Sequence, residues 1–265
     1  DKQMGTTLRA LEAVILNKKF LTNNKRIVDL PFYNPKYIQI FDNPEKIDFE
    51  FVKREENINY HYKEECSPIR LIEKMKIMIM SDVVPTASAK NEYTDGAIEK
   101  LLSDGFREKL HGAEFNIVNL ECPLTRENEP AAKWGSSLKA LPESMEALQK
   151  IPGLVVNLAN NHIRDYGSQG VLDTIQVLEE HGIPYLGAGK DMENSNRSLI
   201  LEKKPHKIGL YSCTEHEFSI AGENSAGAHP VEEGEDILAL QELKRQTDYV
   251  ILLYHGGVEF YPYPT

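Results

Sequence analysis

Cysteine and positive charge are both scarce in this sequence, and no apolar run is long. The three cysteines, Cys66, Cys122 and Cys213, lie far apart with no C-x-x-C pair. That spacing excludes a disulfide framework and a thiolate zinc site, and three free thiols fit a reducing interior. Against 41 Asp and Glu stand 30 Lys and Arg, a formal charge of -11. Affinity for nucleic acid rests on neutralising phosphates, so no nucleic-acid partner is expected. No apolar stretch approaches the roughly 18 to 20 residues that span a bilayer. The opening DKQMGTTLRALEAVILNKKF has a short apolar part and no small-residue cleavage site, unlike a secretory signal. The expected location is the cytoplasm or an association with the cell envelope.

What is present suffices for a real core: 41% of 265 residues are hydrophobic, room for one large domain or two small ones. The pattern changes at Met75. Residues 1–74 open with LRALEAVILNKKF, in which Leu8, Leu11, Ile15 and Leu16 recur at helical spacing. The aromatic stretch after it, punctuated by Asn-Pro pairs, reads as short strands and turns without chemistry. An N-terminal extension or small appended module is the expectation for 1–74. From 75 to 265 strands alternate with helices: KIMIMS (76–81), FNIVNL (115–120), LVVNLA (154–159), KIGLYS (207–212) and YVILLY (249–254). SQGVLDTIQVLEEHG reads as a connecting helix with Ser168 as N-cap and Gly182 as stop. Its apolar stripe would be Val171, Leu172, Ile175 and Leu178. Strands apolar on both faces and joined by helices make the class α/β.

Ligands of α/β sheets bind beyond the carboxyl ends of the strands, so the residues just past each strand matter most. The first strand delivers Asp82, and the second delivers Asn119 and Glu121. The third ends in Asn160, Asn161 and His162, with Asp165 just beyond. The fourth leads to Glu215 and His216; the fifth ends at His255, with Gly256, Gly257 and Glu259 after it. Five strands of five bring coordinating groups to what would be one edge. Oxygen and nitrogen donors of this kind suit one or two ions of Mn, Fe, Zn or Mg. Such ions activate water and stabilise both oxygens of a phosphoryl displacement. His162 is placed to protonate a leaving group, and Asp165 to position that histidine. The glycines after His255 would let a ligand approach the backbone. Other features read blandly. His181 is a contact with a helix C-terminus, His61, His111, His206 and His229 are solvated loop residues, and Trp134 walls a pocket or anchors a loop. GAGK (187–190) fails as a phosphate loop, because position 184 is Pro and Lys190 precedes Asp191.

MSDVVPT, FNIVNLECPLT, VVNLANNHIRDYGSQGVLDTIQVLEEHGIPYLGAGKD, YSCTEHEFSIAGENSAGAHP and YVILLYHGGVEFYPYP resemble the successive motifs of the CapA-type poly-γ-glutamate capsule biosynthesis proteins. That family belongs to the metallophosphatase (calcineurin-like phosphoesterase) superfamily. The resemblance runs from Met75 to the C-terminus and implies a layered sandwich of two β-sheets flanked by helices, with a divalent metal site at the strand ends. It implies metal ligation by Asp82, Glu121, Asn161 and His255, and a leaving-group role for His162. Asn119, Asn160, Glu215, His216 and Glu259 are then candidates for supporting the ligands or the substrate. The implied function is capsule biosynthesis by a metal-dependent hydrolase of the phosphoesterase type. Its substrate would be an anionic polymer or a small phosphorylated molecule, with capsule synthase proteins as partners. Two departures bear on this. The usual Asp-x-His is Asp82-Val83-Val84, and the chain stops at Thr265, before a further His-bearing strand end, so the domain is expected to be incomplete. Both favour the alternative, a non-catalytic scaffold that holds an anionic polymer or a synthase. A chain at -11 repels a polyanion unless metal or a local basic pocket compensates.

Overall fold

Apolar runs without polar alternation demand cover on both faces, and all five of them become strands. The computed structural model describes residues 13, 17–29, 33–60, 76–133, 135–204 and 206–257. Most of the helix expected in LRALEAVILNKKF lies outside them, as do His61, Cys66, Trp134 and Glu259. The strands are β1 (Phe20–Thr22), β2 (Ile38–Ile40), β3 (Ile77–Val83), β4 (Phe115–Leu120), β5 (Leu154–Asn157), β6 (Tyr185–Leu186), β7 (Ala188–Gly189), β8 (Leu199–Lys203), β9 (His206–Thr214), β10 (Gly227–Ala228) and β11 (Tyr249–His255). The α-helices are α1 (Phe49–Lys53), α2 (Lys90–Thr94), α3 (Asp104–Gly112), α4 (Met145–Leu148), α5 (Gly167–Glu180), α6 (Met192–Ser195) and α7 (Glu233–Gln246). Among the described residues no helix is long and apolar enough to cross a membrane.

The chain divides into two compact units, Asp1–Lys74 and Met75–Thr265. In the first, β1 and β2 pair in parallel over a small centre of Ile27 and Ile38, covered by Phe20, Tyr33, Ile40 and Tyr60. The Lys19 ammonium donates to the Phe51 carbonyl at 2.7 Å and pairs with Glu56 at 3.2 Å, which fastens α1 beside β1.

The second unit contains a parallel sheet in the order β3-β4-β5-β6 and a three-stranded sheet in the order β11-β9-β8. β11 lies parallel to β9, and β8 antiparallel. Side chains alternate across a strand, which splits the apolar residues between two layers. Val118, Leu120, Val156 and Leu158 pack with Val171 and Leu178 of α5 and Met145 and Leu148 of α4. Ile117, Asn119, Val155 and Asn157 take the opposite face. There the Ser212 hydroxyl of β9 donates to Asn157 Oδ1 at 2.5 Å, and Ile117 and Leu253 line one cavity. The two sheets therefore face each other. α7 covers the outer side of β9 so closely that a Cβ on Gly209 would come within 2.3 Å of Leu243 Cγ.

Several expectations need correction. Ser168 does not cap α5. The helix starts at Gly167, whose φ of 70° makes the entry turn, and the Ser168 hydroxyl donates to the Ala226 carbonyl at 3.4 Å. Leu172 is 37% exposed, because the helical period buries Val171, Thr174, Val177 and Leu178 and rotates Leu172 outward. The stop at Gly182 holds, with φ at 64°. His181 Nδ1 sits 2.8 Å from the Val177 carbonyl at that helix end. The strand over 154–159 ends at Asn157, whose Oδ1 accepts from the Ala159 amide at 3.2 Å and turns the chain. His229 is not solvated but 1% exposed, with Nε2 at 2.9 Å from the Tyr211 hydroxyl and 3.0 Å from Asp236 Oδ1. That polar knot ties β9 to α7.

Candidate metal centre

Asp82 reaches the space between the sheets through an irregularity. Met78 and Met80 of β3 pack on the helix side, and strict alternation would send Asp82 the same way. The register with β4 slips between Met80 and Asp82, so that Met80 stands opposite Val118 and Asp82 opposite Asn119. One extra residue in a strand re-aims the next side chain. Asp82 Oδ1 consequently accepts from Asn119 Nδ2 at 2.7 Å. Glu121 leaves the end of β4 with its amide bonded to the Val83 carbonyl at 3.1 Å.

Amide side chains hold the strand ends in place. Asn119 Oδ1 accepts from Asn157 and from Asn160, each at 3.1 Å. Asn160 is fully buried; its Nδ2 also donates to the Leu120 carbonyl at 2.9 Å, and its Oδ1 accepts from the His162 and Ile163 amides at 3.1 and 2.9 Å. Every lone pair and proton of that side chain is engaged, so Asn160 positions its neighbours and is not free for a ligand. The loop it braces presents Asn161, whose Oδ1 lies 3.1 Å from His255 Nε2. His255 Nδ1 lies 3.5 Å from Asn119 Nδ2, and its Nε2 is 3.7 Å from Glu121 Oε1. Donor atoms of Asp82, Glu121 and His255 all fall within 4.8 Å of one another.

The electrostatics of this cluster fit a cation. The carboxyl groups of Asp82 and Glu121 lie within 4.8 Å of each other, close enough for each to act on the other's titration. Burial first, then the hydrogen bond and charge of Asp82, push Glu121 up to about 7. Burial also works to raise Asp82, but hydrogen bonds with Asn119, Glu121 and Ser81 and the nearby His255 outweigh it, and the carboxyl is held below its ordinary value. Burial lowers His255, which keeps its imidazole neutral and its lone pair available. Carboxylate and amide oxygens with one imidazole suit Mn, Fe, Zn or Mg. The neighbouring thiol of Cys122 is fully buried and pushed far up, mainly by burial, and offers no soft ligand.

His162 lies beside the cluster and is oriented from behind. Its Nδ1 is 2.7 Å from Asp165 Oδ2, which also accepts from the Leu138 amide at 2.6 Å. Lys133, unforeseen in the sequence, completes this group: it pairs with Asp165 Oδ1 and its Nζ is 3.1 Å from His162 Nδ1. Glu215 stands close, its Oε2 accepting from the Gly257 amide at 3.3 Å. His216 does not join them; its Nε2 is 2.8 Å from the Val231 carbonyl in an exposed loop. Nor is the glycine after His255 open to a ligand. A Cβ on Gly256 would meet the Tyr254 hydroxyl at 2.5 Å and the Glu215 carboxyl at 3.1 Å. A cavity of about 300 Å³ adjoins the cluster, lined by Ile79, Asp82, Asn119, Asn157, Leu253 and His255 among others. A larger one, about 840 Å³, lies against α5 and mixes Glu179 and Glu193 with Lys190 and Arg197. It gathers no convergent donor set.

The family model for the bacterial capsule synthesis protein PGA_cap matches residues 76–265. The PGA biosynthesis protein CapA of Bacillus subtilis (strain 168) is 25% identical over 202 residues, 71% of this chain and 53% of that protein. The capsule biosynthesis protein CapA of Bacillus anthracis is 26% identical over 162 residues, 57% of this chain and 39% of that one. The chain thus spans about half the length, or less, of these curated relatives. Among solved structures, a novel phosphatase from Mycoplasma pneumoniae superposes with a TM-score of 0.38 at 16% identity, over 69% of this chain and 55% of its own.

Proposed function

The chain belongs to the bacterial capsule synthesis protein family PGA_cap, and from that premise we propose that it serves capsule-polymer biosynthesis as a metal-dependent hydrolase of the phosphoesterase type. The observation that carries the reading is the convergence of Asp82, Glu121 and His255 from three separate strand ends to within 4.8 Å. Asp82, Glu121, His255 and the Asn161 amide oxygen would hold a divalent cation. Such an ion, when bound, supplies Lewis acidity for hydrolytic displacement at a phosphoester or a related bond. His162 acts on the leaving group: with Nδ1 engaged by Asp165, its Nε2 is the atom that gives and takes the proton. Asn119 holds Asp82, and Asn160 holds the loop that carries Asn161 and His162. The adjoining cavity, with Ile79 and Leu253 among its walls, opens beside Asp82 and His255 and gives a substrate a place to sit.

Elemental analysis after loading with Mn²⁺ or Zn²⁺, combined with hydrolysis of a panel of phosphoesters, tests this. Wild type should take up the cation in stoichiometric amount, and Asp82→Asn and His255→Ala should each lose it. His162→Ala should bind the cation unchanged while turnover falls by about 10²- to 10⁴-fold, the range for a lost general acid. Wild-type hydrolysis by His162→Ala, or by Asn161→Ala, would defeat the assignment. One feature favours a second reading, a non-catalytic scaffold: Val84 stands where the related motif carries a histidine, which thins the donor set. A loaded wild type that holds no cation would support that scaffold and end the hydrolase reading.

A further inference from the structure

The amino ends of β4 and β5 border another cavity, at the opposite end of the parallel sheet from the donor cluster. It measures about 240 Å³ and lies between the 3₁₀ turn Ile98–Lys100, α3 and the turn of 150–152 that leads into β5. Ile98, Leu102, Leu110 and Ile151 make its apolar walls. A cavity of about 150 Å³ with walls of this kind already holds benzene, so there is room here for a ring or a short acyl chain. Asn116 holds the two sides of the cavity together. Completely buried in β4, it donates from Nδ2 to the Leu110 carbonyl at 3.0 Å and to the Pro152 carbonyl at 2.6 Å. One amide thus clamps the end of α3 to the turn opposite, and the space between them is preformed, as small-molecule sites usually are.

The polar groups around this cavity are mostly basic: Arg107, His111 and Lys150 stand against one acid, Glu99. In a chain of 41 acids and 30 bases, a patch of that sign runs against the average. Arg107 is already paired with Asp104. Lys150 ion-pairs with no carboxylate among the described residues; its ammonium donates to the Gly96 carbonyl, which holds it near the apolar walls. An anionic head group placed there would gain a charge-assisted hydrogen bond, roughly twice as strong as a neutral one. An ammonium would instead meet Lys150 and Arg107 as like charges. We propose that this cavity binds a small amphiphilic carboxylate with an apolar part of about eight carbons. Its chain lies on Ile98, Leu102, Leu110 and Ile151, and its head group meets Lys150. Binding here is independent of the donor cluster, which sits at the far ends of the same strands.

Titration of the metal-free protein with octanoate tests this, followed by calorimetry and by ¹³C-methyl NMR of isoleucine and leucine. Octanoate should shift the methyls of Ile98, Leu102, Leu110 and Ile151 and leave those of Ile79 and Leu253, beside the candidate metal centre, unmoved. Hexanoate should bind more weakly, by about threefold to fourfold for each CH₂ removed. Octanol and octylamine, which carry the same chain without the negative head, should each bind about tenfold more weakly than octanoate. Lys150→Gln should bring octanoate down to the affinity of octanol and leave octanol as it was, and Leu102→Phe should fill the cavity and weaken both. The proposal is overturned by an absence of binding at millimolar octanoate, by methyl shifts that fall outside the four wall residues, or by octylamine binding as tightly. Wild-type octanoate affinity in Lys150→Gln overturns it too. Should Leu102→Phe fail to fold, the wild-type methyl shifts and the Lys150→Gln comparison still decide.

Discussion

Single side chains set the geometry of this site, and Asn160 shows how much one can carry. It makes four hydrogen bonds from a fully buried position, two to the loop of Asn161 and His162 and two to β4. Asn160→Ala would leave at least two buried partners short, at about 1–3 kcal/mol each, so a loss of about 2–4 kcal/mol in a urea melt is expected; a loss under 0.5 kcal/mol would mean that the loop stands without it. Residues at strand ends were readable in the sequence because polar groups are conspicuous where apolar runs stop. Asp82, Glu121, Asn161, His162 and His255 all announce themselves in that way, and the structure brings them together. Lys133 does not: a lysine in AAKWGSS looks like any solvated loop cation, and only its burial against Asp165 and Phe218 distinguishes it. His229 failed for the same reason. Its neighbours in the chain, Ala228 and Pro230, say nothing of Tyr211 and Asp236, which reach it from elsewhere.

At the scale of the element, period and composition made the five strands and α5 legible, while departures from regularity were not. β8 is a case in point. LILEK alternates too briefly to stand out, and it exists because β9 offers it an edge. The register slip in β3 is another, since nothing in IMIMSDV marks where the extra residue sits. It has a testable consequence. Deleting Ser81 puts Asp82 directly after Met80, opposite Asn119 and on the same face as with the bulge, so cation uptake should survive the deletion. Lost uptake in that variant, by elemental analysis, would show that the bulge itself aims the carboxylate. The contact of α7 with β9 is a second test. Gly209→Ala puts a methyl within 2.3 Å of Leu243 Cγ, and overpacking of this kind costs about 1–3 kcal/mol. Chemical denaturation should show that loss, and Leu243→Ala in the same chain should recover part of it.

For the molecule as a whole, the decisive fact is that the donors come from both sheets: Asp82 and Glu121 from the first, His255 from the second. A ligand that binds only the folded form stabilises it by about 2.7 kcal/mol at one hundred times its Kd. Thermal unfolding should therefore rise with added Mn²⁺ or Zn²⁺ in wild type and stay flat in Asp82→Asn; equal shifts in both would place the ion elsewhere. The acidic surface, -11 overall, attracts cations weakly and generally, which is why the variant and not the bare shift is the measurement that counts.

Because the two halves of the proposed donor set meet only when one sheet has settled on the other, a cation held by them would have nothing to grip in a half-assembled chain. Its effect should therefore fall on the rate of escape from the native state, slowing it, while the speed of refolding stays the same with or without chelator.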